Sequence, residues 1–257
     1  MIVAKNISYQ IENKLLLNQI DLEFHAGKFN LIIGPNGAGK TTLLKVLCNQ
    51  IQAQSGSIFF DGLDVKKIPL IQLAKIRAVL SQNIELAFPL KVSEVVMMGR
   101  YPHFNSIPEQ KDKLACEESM RFFDISDLSD RNYMTLSGGE KQRVHFARVL
   151  AQLWYPNESS YRYLILDEPL TFLDIHYQIE FMNKIKQLLK MPDLIVIGVI
   201  HDLNFCAKYG DYIVLMNEGK IISKGDKEQV LTKENIKNVY QIEPMIYHEN
   251  QNMHLLF

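Results

Sequence analysis

Along the chain the apolar positions change rhythm, and each change marks an element. "IVAKNISYQ" and "LLLNQIDLEF" alternate apolar and polar residues roughly every second position, the period of a strand with one face buried. "HAGKF" turns the chain into the run Asn30 to Ile33. After a glycine-rich loop the spacing becomes helical over Lys40 to Gln50, and "SGSIFFDG" reads as a strand bounded by glycines. From about 85 to 135 the texture is helical, with "KVSEVVMMG", "EQKDKLACEESMRFFDI" and "LSDR" as helical stretches and "RYPHFNSIP" as a proline-bearing loop. We expect a helical lobe here, inserted into a sheet domain.

A second series follows: "YLILDEP" as strand, "DIHYQIEFMNKIKQLLK" as helix, "DLIVIGVI" as strand, "HDLNFCAKYG" as helix and "YIVLMNEGKIISKG" as a hairpin around Asn217 to Gly219. Its strands lack polar alternation, so the sheet they form is expected to be buried on both faces, as in a parallel α/β arrangement. "YPNESSYRY", Tyr155 to Tyr163, reads as an exposed connector.

Composition narrows the function classes. The 257 residues suit one α/β domain over 1–257, and a formal charge of −1 without blocks of like charge argues against nucleic acid as a partner. Cys48, Cys116 and Cys206 lie far apart without metal-type spacing, which suits a reducing compartment better than disulfides or zinc. The opening "MIVAKNISYQ" lacks the layout of a signal peptide, and the longest apolar run, Leu194 to Ile200, is too short to cross a bilayer. Any work at a membrane therefore calls for other chains to span it.

The chemistry concentrates in two places. Gly34-Pro35-Asn36-Gly37-Ala38-Gly39-Lys40-Thr41 fits G-x4-G-K-[ST] between a strand and a helix, and Thr42 continues it. Glycines let backbone N–H groups turn inward at the positive end of a helix, where Lys40 meets the β- and γ-phosphates and the Thr41 hydroxyl meets Mg²⁺. "YLILDEP" ends in Asp167 and Glu168 at the carboxyl end of a strand expected to neighbour that loop. Asp167 suits the Mg²⁺ shell and Glu168 suits polarising the attacking water.

Together with these motifs, "LSGGEKQR", Leu136 to Arg143, resembles the ATP-binding cassette ATPases of ABC transporters, over about residues 2 to 230. Physically, Ser137-Gly138-Gly139 opens a helix beside its dipole, while Ser137 and Glu140 also form a capping box. The resemblance implies a P-loop fold with a mainly parallel core sheet, an N-terminal antiparallel β subdomain and an inserted helical lobe in a RecA-like core. It also implies a head-to-tail homodimer in which Ser137 faces ATP bound to the other copy. Tyr9 matches the aromatic that stacks on adenine, Gln82 the glutamine that touches Mg²⁺ and senses the membrane partner, Asp174 the residue that meets the opposite subunit, and His201 the histidine at the γ-phosphate. "DEPLTFLD" departs from the family's small residues at Leu170 and Phe172 and leaves the acids intact.

The same resemblance implies a role on the cytoplasmic face of the cell membrane, beside polytopic permease subunits and, indirectly, a substrate-binding protein. "AFPLKVSEVVMMGRYPHF" and "YMTLSGGEKQRVHFARVLAQLW" look like the importer branch for iron-siderophores, cobalamin and haem, with haem the favoured cargo. The permease is expected to dock near Gln82 to Phe104, with Met98 and Arg100 among the residues to test. Met97, His103 and His145 are read as core, loop and helix residues and not as haem ligands. The rival class, soluble cassettes of DNA repair or translation, generally carries tandem cassettes, long coiled coils or basic extensions, none of which is evident in the sequence. A regulatory cassette without turnover would sit poorly with Lys40, Asp167, Glu168 and His201 all present.

Overall fold

The computed structural model describes every residue except 82–85, 87, 157–159, 172 and 250–251, with the backbone alone of Asn252. The alternating segments at the start form an antiparallel pair, β1 (Ile2–Ile11) and β2 (Lys14–Phe24). The apolar run is β3 (Phe29–Ile33), and the glycine-rich loop leads into α1 (Lys40–Leu47). β4 (Ser55–Phe60) and the short β5 (Leu63–Asp64) return to β1, completing an antiparallel sheet in the order β2-β1-β4-β5. The sequence reading passed over α2 (Leu70–Ile76), which runs directly into β6 (Arg77–Leu80).

Helices α3 (Val92–Met97), α4 (Gln110–Phe122) and α5 (Gly138–Gln152) follow, with α5 packed on both others, so the helical run continues past 135 to Gln152. The chain then alternates through β7 (Arg162–Asp167), α6 (Ile175–Leu188), β8 (Leu194–Val199), α7 (Leu203–Tyr209), β9 (Tyr212–Asn217) and β10 (Lys220–Gly225). Two short helices, α8 (Lys227–Val230) and α9 (Lys233–Tyr240), precede a final hairpin of β11 (Met245–Glu249) and β12 (Asn252–Leu256).

The second sheet has the order β10-β9-β3-β8-β7-β6, parallel throughout except for β10 at its edge. Its strands are apolar because both faces are covered, and period two sorts their side chains between two cores. Phe29, Leu31 and Ile33 join Leu164, Leu166, Leu194 and Val196 under the helices. Ile32 joins Ile165, Ile195, Ile197 and Val199 under α1 and the antiparallel sheet. The strands' carboxyl ends thus lie together at one rim, with α1 above them.

Three local expectations need correction. "RYPHFNSIP" is not simply a loop, since Met98–His103 forms a 3₁₀ helix held by the end of α5. Arg100 Nη1 donates to the Ala151 carbonyl at 2.9 Å, His103 Nε2 donates to the Gln152 carbonyl at 2.8 Å, and a Cβ on Gly99 would stand 2.0 Å from the Arg148 carbonyl. In "LSDR" only Leu128 is helical, as the last residue of a 3₁₀ helix, and the chain turns over Ser129 to Arg131. The end of "YPNESSYRY" is not exposed: Arg162 and Tyr163 open β7, with the Tyr163 ring fully buried against Phe60.

Candidate functional site

The phosphate-loop residues are held from below by two elements remote in sequence. β9 and β10 meet in a two-residue turn, Glu218-Gly219, both at positive φ, the type I′ geometry that matches strand twist. Gly219 N–H donates to the Ala38 carbonyl at 3.0 Å, and Asn18 N–H of β2 donates to the Gly219 carbonyl at 2.8 Å. Gly39 caps α1 at φ 99°, and a Cβ there would stand 2.6 Å from the Leu16 carbonyl, so a larger residue has neither the conformation nor the space. Lys40 is buried, and its ammonium donates to the Gly34 and Pro35 carbonyls at 2.9 Å each. Burial lowers its pKa, opposed by the charges of Glu168 and Asp167.

Contrary to expectation, β7 is not the immediate neighbour of β3, because β8 lies between them. α1 leans across β8 to pack on β7, and this brings the Thr41 hydroxyl within 3.3 Å of Asp167 Oδ1, to which it donates. Asp167 is buried, and its pKa is raised first by that burial and then by the charge of Glu168, against the hydrogen bond from Thr41 and the charges of Lys45 and Lys40. Such a carboxylate calls for a positive partner. A hydroxyl and a carboxylate beside a cavity of about 230 Å³ are hard oxygen donors, which fits Mg²⁺.

Directly after Asp167 the backbone turns to positive φ at Glu168, 52°, a region a glutamate enters at a cost of about 1–2 kcal/mol. The turn aims its carboxylate across the rim to the end of β8, where His201 Nε2 donates to Glu168 Oε1 at 2.5 Å. These two residues, with Thr171, Gln178 and Asp202, line a second cavity of about 230 Å³. Thus Lys40, Thr41, Asp167, Glu168 and His201 converge on one rim. A cationic loop, a metal-suited oxygen pair and a carboxylate–imidazole pair in that order suit a nucleoside triphosphate whose terminal phosphate faces water.

Other predicted residues stand apart. Tyr9 pairs across strands with Leu17, whose side chain abuts Gly39, so it lies beside the loop as a half-buried residue of β1. Ser137 is exposed at the start of α5, its N–H and hydroxyl donating to Glu140 Oε2 at 2.8 and 2.9 Å and its oxygen accepting from Glu140 N–H at 3.3 Å. Gly138 and Gly139 have no heavy atom closer than 4.0 Å to an added Cβ, so no packing demands glycine there. Asp174 caps α6, accepting from Tyr177 N–H at 3.1 Å. None of these five lines either cavity at the phosphate rim. Gln82 and Phe172 lie outside the described residues.

Two positioning residues escaped the sequence reading. Gln142, one turn into α5 from Ser137, donates to the Pro169 carbonyl at 3.1 Å, and Gln178 of α6 donates to the Leu170 and Leu173 carbonyls. Both tie the loop after Glu168 to its neighbours. A glutamine donating to a loop carbonyl leaves no periodicity to find.

Comparison with known proteins follows the same lines. Residues 17–171 match the family described as ABC transporter. The hemin import ATP-binding protein HmuV of Escherichia coli O157:H7 is 40% identical over 240 residues, covering 93% of this chain and 92% of that protein. The protein of the same name from Gloeobacter violaceus is 39% identical over 246 residues, covering 96% and 89%. In fold, the chain is similar to a dimeric bacterial ABC transporter cassette with a TM-score of 0.75 and 24% identity, covering 88% of this chain and 98% of that one.

Proposed function

The chain belongs to the ABC transporter family and is an ATPase of it, and from that premise we propose that it energises the uptake of haemin through a separate membrane permease. ATPases of this family act as dimers, and import ATPases work with a membrane permease. The observation that carries the reading is the convergence of Lys40, Thr41, Asp167, Glu168 and His201 at one rim of a parallel sheet, in a chain 40% identical to a hemin import ATP-binding protein over nearly its whole length.

In this reading Tyr9 stacks on adenine, and Gly34 to Thr42 cradle the phosphates. Lys40 exchanges loop carbonyls for phosphate oxygens, its charge sustained by the two acids behind it. Thr41, Asp167 and Gln82 hold Mg²⁺, which when bound supplies charge neutralisation for the phosphates. Glu168 takes a proton from the attacking water, while His201 orients the Glu168 carboxylate and contacts the γ-phosphate. Ser137, Gly138 and Gly139 of one copy complete the site on the other, and Asp174 meets the opposite subunit. The homodimer sits on the cytoplasmic face of the membrane as a peripheral protein, served indirectly by a substrate-binding protein and without nucleic acid. Among the described residues no helix is long and apolar enough to cross a membrane. Residues 1–257 act as one ATPase domain with the helical lobe inserted in it.

The permease docks on side chains that reach solvent around the 3₁₀ segment. Arg100 is 3% exposed and forms a buried ion pair with Asp112, Nε to Oδ1 at 2.9 Å, so it shapes the surface from beneath and is not itself a contact. Tyr101 at 58% and Phe88 at 71% exposure are the contacts. Uptake of labelled haemin by source cells lacking this chain, complemented with wild type or Lys40→Ala, tests the reading, with cobalamin and a ferric siderophore run in parallel. Loss of haemin uptake alone, restored only by wild type, is expected. Loss of another cargo instead would discard haem, and no loss of any would discard the importer.

A further inference from the structure

His201 immediately precedes the cap of α7, a helix too short to hold itself. α7 has seven residues, about two turns, and a helix of that length depends on packing for its stability. One side rests on the core, where Cys206 and Ala207 are fully buried and the helix meets β3. Toward α6 the helix is open: a groove of about 360 Å³ runs there, with Ile175 and Ile179 on one wall and Phe205 and Tyr209 on the other. The C-terminal hairpin supplies a further support, because Met253 and Leu255 of β12 are buried in the same core as Leu203, Cys206 and Ala207.

Asn204 fixes that support. Its Nδ2 donates to the Leu255 carbonyl at 3.0 Å and its Oδ1 accepts from the Leu255 N–H at 2.9 Å. An amide that satisfies both polar groups of one strand residue takes the place of a neighbouring strand, and so sets the separation and rotation of α7 against the hairpin. The three residues from His201 to Asn204 transmit that setting. Asp202 Oδ1 accepts from the N–H groups of Asn204 and Phe205 at 2.7 and 2.9 Å, and on the other side Ile200 N–H donates to the Ile32 carbonyl at 3.4 Å. The His201 side chain itself is 43% exposed, so the backbone that carries it sets its aim more than packing of the ring does.

We propose that Asn204 is a positioning residue for hydrolysis: by bonding both polar groups of Leu255 it makes the C-terminal hairpin a brace on α7, and the brace keeps His201 in reach of the Glu168 carboxylate. The bond it maintains, His201 Nε2 to Glu168 Oε1 at 2.5 Å, tolerates little displacement, and small misplacements at a reacting centre cost rate steeply. The phosphate loop is held by other means, through Gly219 and β2. The brace therefore acts on turnover and leaves ATP affinity alone.

This inference rests on the roles proposed above for Glu168 and His201, and the test separates the two. In the full chain Asn204→Ala should lower kcat for ATP hydrolysis about tenfold, with KM for ATP and equilibrium ATP binding unchanged. Asn235→Ala is the control: it removes a bond of the same kind in α9, from Asn235 Nδ2 to the Val230 carbonyl at 2.9 Å, and should keep the wild-type kcat. If Asn204→Ala does not fold, Asn204→Asp keeps the oxygen that accepts from Leu255 N–H and suits the first turn of a helix, yet loses the other bond, and should show the same split. The decisive readout is a double-mutant cycle with His201→Ala, since a brace acting through His201 has nothing to position once the imidazole is gone. In that background the substitution at Asn204 should change kcat by less than about twofold. Equal losses in both backgrounds, or the same loss in Asn235→Ala, would mean a general loosening and overturn the brace. So would an unchanged kcat in folded Asn204→Ala; with His201→Ala slow in the same assay, the reading of the site would then stand without it. If His201→Ala itself turns over at the wild-type rate, the role of His201 fails and the brace falls with it.

Discussion

The phosphate loop and the start of α5 are both glycine-bearing entries to helices, yet they are built in opposite ways. Around Lys40 the polar groups are buried and engaged: the ammonium holds two carbonyls, Ala38 is held from Gly219, and Gly39 is fixed by conformation and by the Leu16 carbonyl. Around Ser137 the hydroxyl is exposed and, among the described residues, bonded within its own turn, Gly138 faces open space, and Gly139 has Leu173 no closer than 4.0 Å to an added Cβ. The first is a preformed half-site whose geometry the fold dictates. The second is a surface where no packing among the described residues requires its glycines, the condition that the proposed completion of the site by another copy would need.

The largest effect should fall on the preformed half. Glu168→Gln keeps the shape of the carboxylate bonded to His201 but removes its basicity, so turnover should drop by about two orders of magnitude or more while ATP binding persists. Steady-state ATPase and equilibrium nucleotide binding on the same preparation check it, and near-normal turnover would remove Glu168 from the base role. Ser137→Ala probes the other half. It should leave ATP affinity of the isolated chain unchanged, lower turnover about tenfold through loss of a hydrogen bond to charged phosphate, and cost about 1 kcal/mol of fold stability by removing the cap of α5. Weakened ATP binding by monomeric Ser137→Ala would place the serine in its own chain's site and erase the contrast.

How far these halves were legible in the sequence follows from how each is held. The phosphate loop, the acids after β7 and the histidine after β8 lie next to strongly apolar strands, so local pattern placed them. Their partnership was less legible. The reach of α1 across β8 to bring Thr41 to Asp167 depends on sheet order, which no short pattern encodes. The segment Met98–His103 was misread because its helical turn is fixed by the carbonyls ending α5, fifty residues downstream, and tertiary contacts there outweigh Pro102 as a loop signal. The final hairpin was missed because "IYHENQNMHLLF" mixes polar and apolar residues on both faces, and its pinning by Asn204 is invisible to periodicity.

Acid should distinguish the halves again, with a smaller effect. His145 in α5 is buried beside Tyr133, whose hydroxyl shares a hydrogen bond with its Nε2 at 2.8 Å, and burial followed by the charge of Arg148 pushes its pKa down to about 3. Between about 6.5 and 3 the unfolded chain binds the proton that the folded chain refuses, so stability falls with falling pH by at most about 1.4 kcal/mol per unit. Asp167 has the opposite sign: its raised pKa means that the folded chain holds a proton more tightly, so stability is lost as pH rises from its unfolded value of 3.8 through its folded one. Denaturant titrations across pH should show a shallower acid slope in His145→Gln, and an Asp167→Asn chain should be more stable than wild type at neutral pH without nucleotide. An unaltered slope in His145→Gln would mean that the imidazole is not held neutral.

The smallest expected effect tests whether the two halves communicate within one chain. Gln142 lies in the first turns of α5, on the same rigid helix as the Ser137 cap, and its amide donates to the Pro169 carbonyl, one residue beyond Glu168. Gln142→Leu keeps the volume near enough to preserve packing but removes the donor, at a cost of about 0.5–1.5 kcal/mol. If the bond serves only the fold, stability should fall by that amount and turnover should be untouched. If it sets the loop that carries Glu168 at positive φ, kcat should fall about two- to fivefold with KM for ATP unchanged, because the phosphate loop makes no use of it. The kcat result is expected, since the carbonyl it holds is adjacent to the strained residue, whereas the ammonium of Lys40 is hydrogen-bonded by the Gly34 and Pro35 carbonyls.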